Sequence, residues 1–168
     1  MIGSRAANSD TFEVTTPSGQ EIRLTRLFDA PRRLVFEAMT KPEHVRQWWG
    51  RLGEGYSVPV CEIDLRPGGA WRFVNRHPKG EAAFHGEYRE ITPPSRLVFT
   101  EIFEPFPDSV SVVTANFTDE AGKTRFTATV RYPSLDVRNM VLASGMARGA
   151  GLSYDRLEDL VAELKARP

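Results

Sequence analysis

The chain has one cysteine, three histidines, no excess of either charge and no long apolar run, and each shortage removes a class of function. Cys61 alone cannot close an internal disulfide, and its apolar surroundings suit a small buried side chain better than a reactive thiol. Three histidines with no two at ligand spacing, and no second cysteine, leave no protein-built zinc site, so no metal is expected. The 22 lysines and arginines balance 22 aspartates and glutamates, and no overall positive field draws a phosphate backbone or an anionic membrane. A nucleic-acid partner is therefore not expected. No stretch reaches the ~18 apolar residues of a membrane span, and Met1 to Asp10 lacks the apolar core of a signal peptide. The expected location is the cytoplasm.

What is present is a soluble-protein composition rich in rings: 40% hydrophobic residues, with 10 Phe, 4 Tyr and 3 Trp to bury. A length of 168 residues fits one domain with one sizeable core. No internal repeat or linker divides it, so a flexible start over residues 1–10 and a single domain over 11–168 are expected.

Phe12 to Thr16 reads as a short strand, Pro17-Ser18-Gly19 as a turn, and Glu21 to Phe28 as a strand with apolar residues alternating with charge. Asp29 or Ala30 is placed to cap a helix with Pro31 in its first turn and an apolar face of Leu34, Val35, Ala38 and Met39. Thr40 and Glu43 stand at capping-box spacing, which predicts a second helix carrying Val45, Trp48 and Trp49 and stopping at Gly50. From Ser57 to Tyr132 the period becomes two, and five turn signals divide the segment into six antiparallel strands. In the last hairpin a four-residue turn over Asp119 to Gly122 sets Phe117 opposite Thr124 and Ala115 opposite Phe126, with both strands apolar on one face.

Ser134 or Asp136 opens a helical segment through Ala143, and a long helix follows from about Met146 to Ala166. Its buried stripe is uneven. Leu157, Leu160 and Leu164 can seal against a sheet, whereas Gly149, Ala150 and Ser153 are small and leave space opposite them. A sheet curved around such a helix would be closed at one end and hollow at the other.

The run Phe28-Asp29-Ala30-Pro31-Arg32-Arg33-Leu34-Val35-Phe36 with Trp48-Trp49-Gly50 resembles the opening of the START/Bet v superfamily (SRPBCC), in particular its activator-of-heat-shock-ATPase homologues. Asp64 to Gly69 with Trp71-Arg72-Phe73 resembles the first hairpin of that subfamily, and Gly86 to Ile91 with Pro93 to Thr100 resembles its second. Ser144-Gly145-Met146 through Ser153 to Leu157 resembles its last helix. The resemblance runs from about Leu24 to Leu164 and implies an α+β helix-grip fold: a curved antiparallel sheet of six to seven strands around a long C-terminal helix. It also implies a cavity for an apolar small molecule. Chaperone activators carry such a domain behind a separate chaperone-binding domain, for which the roughly twenty residues before the match are too few.

Glu62, Asp64, Trp71 and Phe73 are candidates for chemistry. If a four-residue turn over Arg66 to Gly69 sets Leu65 opposite Ala70, then Asp64 faces Trp71, Glu62 faces Phe73, and a desolvated carboxylate on the cavity side can act as acid or base. In the other phase Cys61, Ile63 and Leu65 turn inward and the carboxylates are solvated, which alternation favours. Asp64 is also placed to pair with Arg72 or Arg66. His85 is the one histidine inside a predicted strand, and it can shuttle protons near neutral pH if it reaches the pocket. Trp48, Trp49 and Tyr56, around a glycine-rich segment, are expected to supply both core packing and a pocket rim, and the Glu104-Pro105-Phe106-Pro107 tip a second rim element or contact surface.

The leading expectation is non-covalent binding of an apolar or aromatic small molecule without a cofactor. Its expected walls are Trp48, Trp49, Trp71, Phe73, Phe84, Phe99, Phe126, Met146, Ala150 and Ser153. The alternatives are a cyclase- or hydrolase-type enzyme using Asp64, Glu62 or His85, and a chaperone-activator-like interaction module. A homodimer is left open.

Overall fold

A computed structural model describes residues 8–167. Eight antiparallel strands form one sheet: β1 (Glu13–Thr15), β2 (Glu21–Phe28), β3 (Ser57–Ile63), β4 (Ala70–His77), β5 (Gly80–Thr92), β6 (Arg96–Phe103), β7 (Val110–Glu120) and β8 (Lys123–Arg131). Their order is β1-β2-β8-β7-β6-β5-β4-β3, so the six strands after Ser57 run as a meander and the opening hairpin closes onto the last of them. Helices α1 (Arg32–Thr40) and α2 (Pro42–Trp48) leave β2, and α3 (Leu135–Ala143) and α4 (Met146–Ala166) follow β8. The architecture is the expected α+β helix grip, with one strand more than the six to seven of the resemblance because the short opening strand read over Phe12 to Thr16 joins the sheet as β1, Val14 opposite Leu24.

Of the N-terminal stretch, residues 1–7 lie outside the described residues. Ser9–Thr11 form one turn of 3₁₀ helix, and the Asn8 amide donates to Glu158 Oε1 at 2.8 Å, tying this segment to α4. Among the described residues no helix is long and apolar enough to cross a membrane.

The short helices begin differently from the capping-box expectation. Thr40 ends α1 instead of opening α2: its hydroxyl donates back to Phe36 O at 2.8 Å, and Lys41 stands at the cap of α2 with Pro42 in the first turn. Asp29 does not cap α1. Its carboxylate meets Lys165 of α4, while its amide donates to Glu158. Ser134 does cap α3, accepting from Val137 N.

The main core lies between α1, α4 and the β2-β8-β7 part of the sheet, where Ile22, Phe28, Val35, Phe117, Leu157 and Val161 are fully buried. Leu164, expected with them, is only half-buried. In α4 the buried residues are Ser153, Tyr154, Leu157, Glu158, Leu160 and Val161, the three- and four-residue spacing of a core-facing stripe. Its two polar members are satisfied: Glu158 accepts from Asn8 and Asp29, and Ser153 Oγ accepts from Gly50 N. Val45, Val58 and Cys61 form a smaller cluster where α2 meets β3.

Candidate functional site

Bordering this core, α4 and the sheet separate around a cavity of about 610 Å³. Strand periodicity explains its walls. Trp71, Phe73 and Asn75 of β4, Ala82, Phe84 and Tyr88 of β5, Leu97, Phe99 and Glu101 of β6, Val113 and Ala115 of β7, and Phe126, Ala128 and Val130 of β8 all line it. Within each strand these residues share the inward parity. The space exists because small residues face one another: Ala115 pairs with Ala128 across β7 and β8, and α4 presents Gly149, Ala150 and Ser153 above them. Met146, also on α4, completes this wall.

The rings form two connected groups, one around Trp49, Trp71 and Phe73 and one around Tyr154 and Phe126. Trp49 meets Phe73 and Phe84 edge-on at 5.2 and 5.5 Å, Trp71 meets Phe73 at 4.8 Å and Phe99 at 5.8 Å, and Tyr154 meets Phe126 at 5.7 Å. Trp48 and Trp49 divide their work as expected. Trp48 is buried with its indole donating to Ala38 O at 2.9 Å, whereas Trp49 is only half-buried at the end of α2. Tyr56 lies instead beside His77. The entrance side of α2 is locked by Gly50 (φ 63°), whose amide donates to Ser153 Oγ at 3.1 Å and whose carbonyl accepts from Asn75 Nδ2 at 2.8 Å.

Of the two phases open to the first hairpin, the structure has the one that alternation favours, and Glu62 and Asp64 do not reach this cavity. Ile63 pairs with Trp71, Glu62 with Arg72 and Cys61 with Phe73, one residue out of step with a four-residue turn, because five residues, Leu65 to Gly69, connect the Asp64 and Ala70 ends. A one-residue change of register exchanges the faces of a strand. Glu62 is thus exposed beside Arg72, and Asp64 is exposed with its carboxylate held by Arg66 Nε at 2.9 and 3.1 Å. The expected inward place of Leu65 is also lost, since it sits in the loop and is exposed. His85 belongs to the outer face too, where its Nδ1 lies 3.0 Å from Glu104 Oε2. Arg72 grips the same carboxylate at 2.8 and 3.0 Å; that bond first, and His85 second, hold the Glu104 carboxyl down to about 2. Acid-base chemistry by Asp64, Glu62 or His85 on a molecule in the cavity has no geometric basis.

The cavity does contain a carboxyl, Glu101, the single charged residue in its lining among the described residues. Among the described residues no donor reaches its side chain, and burial pushes it up to about 7. The hydroxyls of Tyr88, Tyr132 and Tyr154, which line the same space, likewise have no described hydrogen-bond partner. Burial keeps all three phenols well above their usual range, and the Glu101 charge adds to this at Tyr132 and Tyr154. Sequence reading passes over Glu101 because both parities of β6 are apolar: Leu97 and Phe99 alternate with Val98 and Ile102. The available signal was the inward parity set by Leu97 and Phe99, which carries directly to position 101.

This carboxyl has a stability consequence. The unfolded chain releases the proton near the ordinary carboxylate range while the folded chain keeps it until about 7, so stability falls as pH rises between the two. Glu101→Gln is expected to be more stable than the parent by on the order of 2 kcal/mol near pH 8, with little difference near pH 4.5. Denaturant titrations at both pH values measure this, and an equal gap at both would contradict a desolvated Glu101.

The fold agrees with comparison to known proteins. The family profile of activator of Hsp90 ATPase homolog 1-like proteins matches residues 29–162. The chain belongs to this family. As a member of the SRPBCC superfamily it is similar to a Rhodobacter sphaeroides protein of known structure, with a TM-score of 0.82 at 25% identity over 91% of this chain and 99% of that one. A Nitrosomonas europaea protein superposes with a TM-score of 0.77 at 26% identity, covering 90% of this chain and all of its own (100%). A Mycobacterium smegmatis protein gives 0.76 at 26% identity over 88% and 96%. No curated protein matches the chain.

Proposed function

We propose that this member of the activator of Hsp90 ATPase homolog 1-like family binds a small, largely apolar or aromatic molecule non-covalently between the sheet and α4. The observation that carries the reading is the cavity of about 610 Å³ with aromatic walls and a few unpartnered polar groups. Ligand sites typically measure ~300 to 1,000 Å³ and combine apolar walls with a few polar groups that fix orientation. Polar groups left without partners in a folded protein cost stability, and a ligand that pairs with them recovers part of that cost.

The test is a fluorescence titration with N-phenyl-1-naphthylamine, a neutral dye that brightens in apolar sites. Saturable binding to the parent chain is expected. Ala150→Phe, which projects a ring from α4 into the cavity without altering helix propensity greatly, is expected to weaken it by about tenfold or more while thermal unfolding stays cooperative. Equal affinity in the variant would place the dye elsewhere and remove the proposal's support.

A further inference from the structure

Glu101 narrows the chemistry of that molecule. Among the described residues it is the one charged group in the lining, with no lysine or arginine beside it, and the rings of Trp71, Phe99, Tyr132 and Tyr154 share the lining with it. The fields of these groups have the same sense. A carboxylate attracts a cation directly, and the faces of aromatic rings attract it through their quadrupoles. A carboxylate-bearing ligand would meet repulsion with no cation beside it. Above about pH 7, where Glu101 is ionised, the folded chain already carries most of the cost of removing that carboxylate from water, so binding there adds chiefly the desolvation of the cation. Tyr132 and Tyr154, which feel the Glu101 charge, are neutral hydroxyls that can accept or donate near the same centre.

We infer that the molecule this cavity selects is an aromatic or apolar amine, bound as its ammonium with the nitrogen on Glu101 and the apolar body against the ring-lined wall. This rests on the cavity being a binding site, as proposed above. It also predicts the direction of the pH effect, because Glu101 must ionise to attract the cation. The other groups facing it do not compete: Tyr132 of the segment after β8, Tyr154 of α4 and Tyr88 of β5 remain neutral phenols, and Ser111, opposite on β7, does not titrate. His85 and Glu87 of β5 and Glu104 belong to the opposite parity. Arg26, whose charge reaches Tyr154, is paired with Asp155 at 2.6 Å.

Isothermal titration with three probes of one shape tests the inference: 2-naphthylmethylamine, 2-naphthalenemethanol and 2-naphthoate. At about pH 8 the ammonium probe is expected to bind about tenfold or more tighter than the alcohol, and the carboxylate probe more weakly than either, as charge-assisted pairing implies. The ammonium-to-alcohol ratio should shrink severalfold on going to about pH 5.5 and fall toward one in Glu101→Gln. Far-ultraviolet circular dichroism would verify that the variant is folded. If the alcohol binds and the ammonium shows no preference, or if the preference survives Glu101→Gln, the inference is overturned while the cavity remains a binding site. If none of the three probes and no N-phenyl-1-naphthylamine binds, the binding reading itself fails, and this inference with it.

Discussion

Gly86→Ala is expected to destabilise the protein by about 3 kcal/mol or more, a loss far beyond the ordinary effect of one added methyl group. Gly86 pairs with Trp71 across β4 and β5, and the Trp71 indole bonds Thr100 O of β6 at 3.1 Å. A β-carbon at position 86 would overlap the Thr100 carbonyl oxygen and stand 2.6 Å from the indole nitrogen. The clash is therefore with the backbone of an adjacent strand and with a buried ring, neither of which can swing aside. Relief requires β5 and β6 to part or Trp71 to leave its carbonyl. Trp71 is part of the cavity wall, so the variant should also lose affinity for N-phenyl-1-naphthylamine. Urea denaturation measures the first effect, and an unchanged midpoint would show that the three strands are not packed as described.

The second large effect is expected from Leu157→Ala, at about 2 to 5 kcal/mol, the range for truncating a leucine in a closed core. Leu157 is fully buried (0% exposed) in the main core and is not among the residues that line the cavity. Ser153, one turn earlier on α4, makes the informative contrast. It borders the cavity, and its role is to accept from Gly50 N, so Ser153→Ala should cost only about 1 kcal/mol for that one hydrogen bond. Equal losses in the two variants would mean that α4 packs evenly along its length and that the cavity is not where it is described.

The difference between these two positions was readable in the chain before any coordinates. Period-two alternation followed by an amphipathic helix dictates a sheet laid on that helix, and the change from Gly149, Ala150 and Ser153 to Leu157 and Leu160 dictates where it stays open. Register was less legible, and the two hairpins show why. In the β7-β8 turn Ala121 and Gly122 both have positive φ, giving a two-residue connection with Phe117 opposite Phe126 in place of Thr124. That shift is of two residues and leaves every side chain on its expected face. In the β3-β4 hairpin the difference from a four-residue turn is of one residue, and it decides between the two phases left open, placing Glu62 and Asp64 in solvent as alternation favours. Turn length is decided by local backbone bonds, such as Gly68 N to Tyr88 O from a strand twenty residues away, which spacing alone does not reveal. The same parity rule explains Glu101, whose side depends on the register of β6 against β5 and β7.

The cavity's role is tested most directly by the tryptophan indole signals in a ¹H–¹⁵N spectrum. All three tryptophans of the chain, Trp48, Trp49 and Trp71, line the cavity, so the indole region contains reporters of that space alone. On titration with N-phenyl-1-naphthylamine the three signals should shift together and saturate with one dissociation constant, the same one that fluorescence gives. Indole signals that stay in place while amides around the exposed Phe103 and Phe106 move would put the dye on the outer surface and contradict a ligand site beneath α4.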